Sequence, residues 1–141
     1  MLKIKLLNSH AKAPTKAHES DSGYDFYASE DVVVHPEGVT KVPTGVALQL
    51  PPNVWMKIEA KSGLATKQHI GVTAGIIDNE YRGEIIIAMV NYSKEFQMLK
   101  RGQKVAQGVL MPLVMATSEI VEEFDGETTR GEKGFGSSGL V

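Results

Sequence analysis

The sequence predicts an all-β domain, a sandwich or barrel of short strands with one short helix and a glycine-rich tail. Apolar residues fall in β-branched runs or in strict alternation rather than at helical spacing. Clusters of Pro, Gly and Asn interrupt these runs at short intervals. Only Ser62 to His69 reads as helical, and it stops before Gly71. Many short strands with turns between them form the pattern of sandwiches and barrels.

At the start, Leu2, Ile4 and Leu6 alternate with Lys3 and Lys5, which predicts a half-buried strand with one wet face. Val32 to Val34, Val39 to Val42, Gly45 to Leu50 and Val54 to Ile58 follow as strands. They are divided by Pro36-Glu37-Gly38, Pro43-Thr44-Gly45 and Pro51-Pro52-Asn53 as turns. The helix at Ser62 begins on an N-cap type residue and has room for two turns. Ile85 to Val90 is continuously apolar, which predicts a strand buried on both faces. Val105 to Met111 and Ile120 to Phe124 complete the series. From Thr128 onward the chain is rich in Gly and Ser, too poor in apolar residues to build a core of its own. The expected organisation is one domain over 1–141 with a mobile C-terminal arm over about 128–141.

Composition narrows the function. A chain of 141 residues, 42% hydrophobic and 23% charged, has enough core to fold without cross-links. It contains no cysteine, which excludes disulfides, thiol catalysis and Cys-ligated metal. Fifteen basic against seventeen acidic residues lack the excess expected of a nucleic-acid-binding module. The longest apolar run, Val109 to Ala116, contains Pro112 and is too short to span a bilayer. No signal-peptide pattern opens the chain, so a cytoplasmic, intracellular location is expected.

Several motif matches fall away on inspection. Gly134-Phe135-Gly136-Ser137-Ser138-Gly139 satisfies G-x-G-x-x-G, but only two residues follow it and no βαβ unit surrounds it. No Walker A segment is present, and the four histidines have no metal-ligand spacing. Three constellations remain. Gly75 to Gly83 places Asp78, Asn79, Glu80, Tyr81 and Arg82 between two strands. It reads either as a polar hairpin turn or as a water-orienting carboxylate beside a ring-stacking aromatic. Lys61-Ser62-Gly63 opens the helix, as a plain cap or as a phosphate site. The tail combines Arg130 and Lys133 with Gly/Ser backbone able to cradle phosphate, or is simply unstructured. Together they suggest a phosphorylated ligand with a planar ring.

These segments resemble the five ordered motifs of the trimeric dUTPases (deoxyuridine triphosphate nucleotidohydrolases), over nearly the whole chain. The matching segments are Asp21 to Ala28, Ala60 to Ala65, Gly75 to Gly83, Arg101 to Gln107 and Arg130 to Gly139. The resemblance implies a β jelly-roll homotrimer that hydrolyses dUTP to dUMP and pyrophosphate with Mg²⁺. That activity removes dUTP from the nucleotide pool and supplies dUMP for dTMP synthesis. It also implies active sites at subunit interfaces, closed by the glycine-rich arm of a third subunit.

By the same resemblance, Asp78 orients the attacking water, and Tyr81 packs on the deoxyribose to exclude a 2′-hydroxyl. The backbone of Gly75, Ile76, Ile77 and Asp78, with Ile86, reads the uracil edge. Lys61, Ser62, Gly63 and Gln107 contact phosphates. Arg130, Phe135, Gly136, Ser137 and Ser138 come from the closing arm, with Phe135 over the uracil. Asp25 supports the metal site indirectly, the Mg²⁺ being held mainly by triphosphate oxygens and water.

The chain departs from the family pattern in four places. Lys61 stands where arginine is usual and loses the planar fork. Glu80 replaces an aspartate, Lys133 a common glycine, and Ser138 a threonine. Two alternatives stand beside the dUTPase reading: a dCTP deaminase on a related fold, and a nucleotide-sensing or protein-binding module that has kept the fold.

Overall fold

The β-branched runs pair into two four-stranded sheets and one small ribbon. A computed structural model describes residues 1–134. The expected arm residues Phe135, Gly136, Ser137 and Ser138 lie outside the described residues. In chain order the elements are β1 (Lys3–Leu6), β2 (Gly23–Tyr27), β3 (Val32–Val34), β4 (Val39–Gln49), β5 (Val54–Ala60), α1 (Ser62–Lys67), β6 (Ile70–Thr73), β7 (Ile76–Ile77), β8 (Glu84–Asn91), β9 (Gln97–Leu99) and β10 (Lys104–Pro112). One sheet runs β1-β4-β8-β6, the second β2-β10-β5-β7, and β3 pairs with β9. All these pairings are antiparallel. Neighbours in a sheet are mostly distant in sequence, so the chain crosses repeatedly between layers in a jelly-roll-like all-β fold.

The core lies between the sheets. Phe26, Met56 and Ile58 from one sheet meet Val42, Val46, Leu48, Ile85, Ile87 and Met89 from the other, and Ile70 and Leu99 join the same cluster. Each such burial stabilises by about 1.5–3 kcal/mol. Asn91 is buried too, and its amide donates to the carbonyls of Val34 and Glu95 at 3.3 and 2.7 Å. That interior bonding assigns Asn91 to the scaffold.

Several expectations need correction. Pro43-Thr44-Gly45 is not a turn between two strands: β4 runs unbroken from Val39 to Gln49, with an irregular register between Pro43 and Ala47. Gly45 takes φ +67° there, and its N–H donates to Glu84 Oε1 at 2.7 Å. Thr44 Oγ1 donates to the Ile85 carbonyl at 2.7 Å. These long-range bonds to β8 hold the strand together where local chemistry signals a turn.

β8 is a strand but not buried on both faces. Ile85, Ile87 and Met89 point into the core, whereas Ile86 is 37% exposed on the outer face. β1 also differs: it is an edge strand paired only with β4, and all four of its residues are exposed, Ile4 and Leu6 included. Ile120 to Phe124 forms no strand, and its apolar side chains stand in solvent. The helix is shorter than expected, and Lys61 rather than Ser62 occupies its N-cap.

Candidate functional site

The expected site residues gather in two places on the chain. The first is β7 with the loop that follows it. Gly75 stands just before β7, and its carbonyl accepts the Ile58 N–H at 2.7 Å. A Cβ at this position would collide with the Ile58 carbonyl oxygen, so only glycine lets the strands approach so closely. β7 then pairs with β5, Ile77 opposite Met56 and Ile76 opposite Lys57.

Beyond β7 the loop is braced rather than slack. The Asn79 amide donates to the carbonyls of Pro51 and Val54, both at 2.6 Å. The Arg82 guanidinium donates to the carbonyls of Asn79 and Tyr81 at 2.8 and 3.0 Å. The Tyr81 hydroxyl donates to the Glu84 carbonyl at 2.9 Å, and its backbone N–H to the Asp78 carbonyl at 3.1 Å. Asp78 stays exposed on this frame. With Ile76, Ile77, Tyr81, Glu84 and Ile86 it lines a pocket of about 150 Å³. On its other side, with Trp55, Asn79, Tyr81 and Leu113, it borders a cleft of about 650 Å³. The segment is thus a turn by its hydrogen bonds and still presents an exposed carboxylate beside an aromatic ring. The bracing roles of Asn79, Arg82 and Glu84 were not anticipated from sequence.

The second cluster forms where β2, β10 and the end of β5 lie side by side. Asp25 sits opposite Gln107, Ala106 sits opposite Ala60, and Lys61 follows directly after β5. The Asp25 backbone is fixed on its other side by Thr15, through bonds of 2.7 and 3.2 Å. Its side chain, 7% exposed, accepts from Lys61 Nζ on one oxygen at 2.5 Å and from Lys104 Nζ on the other at 2.7 Å. Burial pushes the Asp25 pKa up, but the hydrogen bonds and charges of Lys104 and Lys61 outweigh it and hold the carboxyl below its ordinary value. The same contact raises the Lys104 pKa. The Gln107 amide donates to the Ala60 carbonyl at 3.1 Å. Asp21, Ser22, Gly23, Asp25, Lys61, Lys104 and Gln107 border a cavity of about 320 Å³. Ser62 and Gly63 are exposed on the adjoining first turn of α1. Lys104 was missed at the sequence level.

These two clusters do not meet within one chain. Register places Asp78 beside Trp55, six residues up β5 from Lys61, which at 3.3 Å per residue is about 20 Å. Arg130 joins neither cluster: its Nε donates to the Lys133 carbonyl at 2.9 Å, within its own exposed segment.

The residues present fit a metal carried by its ligand. Among the described residues no group of three or more His, Asp or Glu side chains could cage an ion. Both Asp25 oxygens are engaged by ammonium groups, so Asp25 would act on a metal only through the charges around it. A Mg²⁺ would then be held by phosphate oxygens and water, the usual preference of that ion.

A jelly-roll β domain with a braced carboxylate–tyrosine loop and a separate cavity bearing two lysines belongs to the class of β-sandwich proteins that handle phosphorylated nucleotides. The family model described as dUTPase matches residues 9–139. The chain belongs to the dUTPase family, the enzymes that hydrolyse dUTP. It is 43% identical to a deoxyuridine 5'-triphosphate nucleotidohydrolase of Gloeothece citriformis, over 99% of this chain and 97% of the relative. It is 41% identical to one of Clostridium tetani, over 98% and 96%. Among solved structures, the Staphylococcus bacteriophage 80alpha dUTPase with dUPNHPP superposes with a TM-score of 0.89, at 31% identity and 99% coverage of both chains. A point mutant of the dUTPase from phage phi11 of S. aureus, described with a structural Mg(II) ion, gives 0.81 at 26% identity, over 89% of this chain and 99% of the other.

Proposed function

We propose that this dUTPase hydrolyses dUTP to dUMP and pyrophosphate with Mg²⁺, as a homotrimer whose active sites lie between subunits. The observation that carries the reading is the separation of its two clusters. The Asp78 loop offers a pocket sized for a base and a ring, and the Lys61/Gln107 cavity offers two lysine ammonium groups, about 20 Å away along β5. A nucleotide that needs both takes the first from one copy and the second from another. Two further features favour assembly. β1 exposes Ile4 and Leu6, and the segment after β10 exposes Ile120 and Phe124. Large apolar side chains left in water on a single copy point to burial against others.

In this reading Asp78 accepts a proton from a water that it aims at the α-phosphorus. The new bond forms from that water oxygen, and the bond to the bridging oxygen breaks to release pyrophosphate. A Mg²⁺ carried in on the phosphate oxygens would supply charge neutralisation there. The braced loop holds Tyr81 against the deoxyribose, where a 2′-hydroxyl would clash. Backbone groups of Gly75 to Asp78, with Ile86, meet the uracil edge in a pocket without room for the thymine methyl. Lys61, Ser62, Gly63 and Gln107 bind phosphate oxygens, and Arg130 with the arm from Phe135 to Ser138 covers the ligand. The family match gives no support to the deaminase alternative.

The test is pyrophosphate release with Mg²⁺ from dUTP, dTTP, dCTP and UTP, with Asp78→Asn as the blank. Release from dUTP alone, lost in the variant, is expected. Persistence of bound, intact dUTP would instead indicate a sensing role, and ammonia without pyrophosphate a deaminase.

A further inference from the structure

β10 breaks the alternation of a regular strand at one point, and that break decides where Lys104 goes. Lys104 lies opposite Tyr27, Ala106 opposite Phe26 and Gln107 opposite Asp25. Paired residues on adjacent strands share a face, and residues two apart on β2 share a face as well. Lys104 and Gln107 therefore lie on the same face, although they are three residues apart in sequence. A regular strand would set them on opposite faces. The extra residue, Val105, is fully buried beside the equally buried Ala106, and the bulge it makes turns Lys104 toward Asp25.

Neutralising Asp25 requires one cation, and Lys61 already supplies it at 2.5 Å. Lys104 is a second cation on the same carboxylate, with a side chain 47% exposed against 29% for Lys61. Both border the cavity of about 320 Å³. The remaining acid on that wall, Asp21, accepts the His18 N–H through Oδ2 at 2.9 Å. The Asp25–Lys61–Lys104 triad carries one positive charge, which Asp21 offsets across the cavity, so a phosphate meets two ammonium donors there rather than a net charge. Its geometry is fixed from behind by the Thr15 bonds to the Asp25 backbone.

We propose that Lys104 is a second phosphate-binding cation of this site, presented by the β10 bulge and held in place by Asp25. The inference rests on the dUTPase reading above and adds a residue to it. Asp25 is then a positioning residue that keeps two mobile ammonium groups at hand when no phosphate is there. Arriving phosphates share those groups with it. A counter-ion needed only for folding would have no reason to discriminate between nucleosides and nucleotides.

The experiment is a binding series with deoxyuridine, dUMP, dUDP and a non-hydrolysable α,β-imido analogue of dUTP, on wild type, Lys104→Met and Lys104→Arg. Thermal melts check that each variant folds. Lys104→Met should leave deoxyuridine binding unchanged and weaken the triphosphate analogue by about 10- to 100-fold, the range for a hydrogen bond to a charged group. Lys104→Arg should restore most of that loss. In turnover, Lys104→Met should raise KM far more than it lowers kcat. Equal weakening of every ligand, or an unchanged series, would overturn the proposal and leave Lys104 a structural counter-ion. A wild type that gains no affinity from added phosphates would overturn the underlying dUTPase reading instead. Should Lys104→Met fail to fold, Lys104→Gln keeps a donor for Asp25 and carries the same comparison.

Discussion

Two variants that are each nearly inactive should restore one another when mixed. Asp78→Asn removes the proposed water-orienting base and should lower the rate by about 10²–10⁴-fold. Lys61→Met removes a proposed charged phosphate contact and should lower kcat/KM by about 10- to 100-fold. The second variant should still fold, because Asp25 keeps Lys104 as its partner. The two residues lie about 20 Å apart on one chain, so each active site of the proposed trimer would take Asp78 from one subunit and Lys61 from another. Denaturing both variants together and refolding them at equal amounts assorts the subunits at random. A given site is intact when its Asp78 comes from the Lys61→Met chain and its Lys61 from the Asp78→Asn chain. Each condition holds for half of the sites, so about one quarter of wild-type activity should return. The assay is pyrophosphate release at limiting dUTP, before and after joint refolding, with each variant refolded alone as control. Activity that stays at the mean of the two parents would refute the argument, because both residues would then serve the same site from the same chain.

Asp25→Asn should remove an ion pair that matters most near neutrality. The carboxyl is held below its ordinary value, so its contribution is complete above about pH 4 and is lost as the pH falls through the folded-state value. Half-exposed lysines can retreat into water, so the variant should be less stable by about 2 kcal/mol at pH 7. Urea melts from pH 7 to pH 2 should show the two proteins converging in acid, and a constant gap would contradict the assignment. Gly83→Ala would drive a Cβ into the Tyr81 hydroxyl. Displacing that ring should raise UTP hydrolysis relative to dUTP, and the ratio of kcat/KM values for the two substrates measures it. Removing residues from Thr128 onward should leave the melting temperature within a few degrees of wild type while abolishing most turnover. Retained turnover would exclude the arm from the site.

Much of the architecture is written in local patterns. Strands such as β5 and β10 combine β-branched residues with flanking Pro, Gly and Asn, and the structure places them where those signals lie. The failures share a cause, which is that a partner distant in sequence decides the outcome. Pro43-Thr44-Gly45 carries turn chemistry, yet bonds to Glu84 and Ile85 keep it inside β4. Ile120 to Phe124 has strand-forming residues but no neighbouring strand among the described residues, and propensity alone does not make a sheet. The site divides in the same way. Asp78, Tyr81 and Lys61 stand out as residue types in recognisable motifs, whereas the bracing by Asn79 and Arg82 needs coordinates. Lys104 is hidden for a sharper reason. Strict alternation assigns it to the face opposite Gln107, and only the consecutive burial of Val105 and Ala106 reveals the extra residue. An uninterrupted apolar pair between two polar residues in a half-buried strand is the signal that could have found it.

The exposed position of β1 carries a consequence for the newly made chain. Among the described residues nothing pairs with its outer edge, so a single copy offers a row of backbone donors and acceptors to any strand that drifts past. Ile4 and Leu6 make such a chance encounter adhesive, while Lys3 and Lys5, exposed on the same short strand, make it repulsive between like copies. The two lysines would therefore act while the chain is still a single copy, by slowing strand-to-strand contact between like copies. Substituting them with threonine should leave dUTP turnover in the finished protein intact and lower the yield of soluble protein, a loss that grows with the concentration at which it folds.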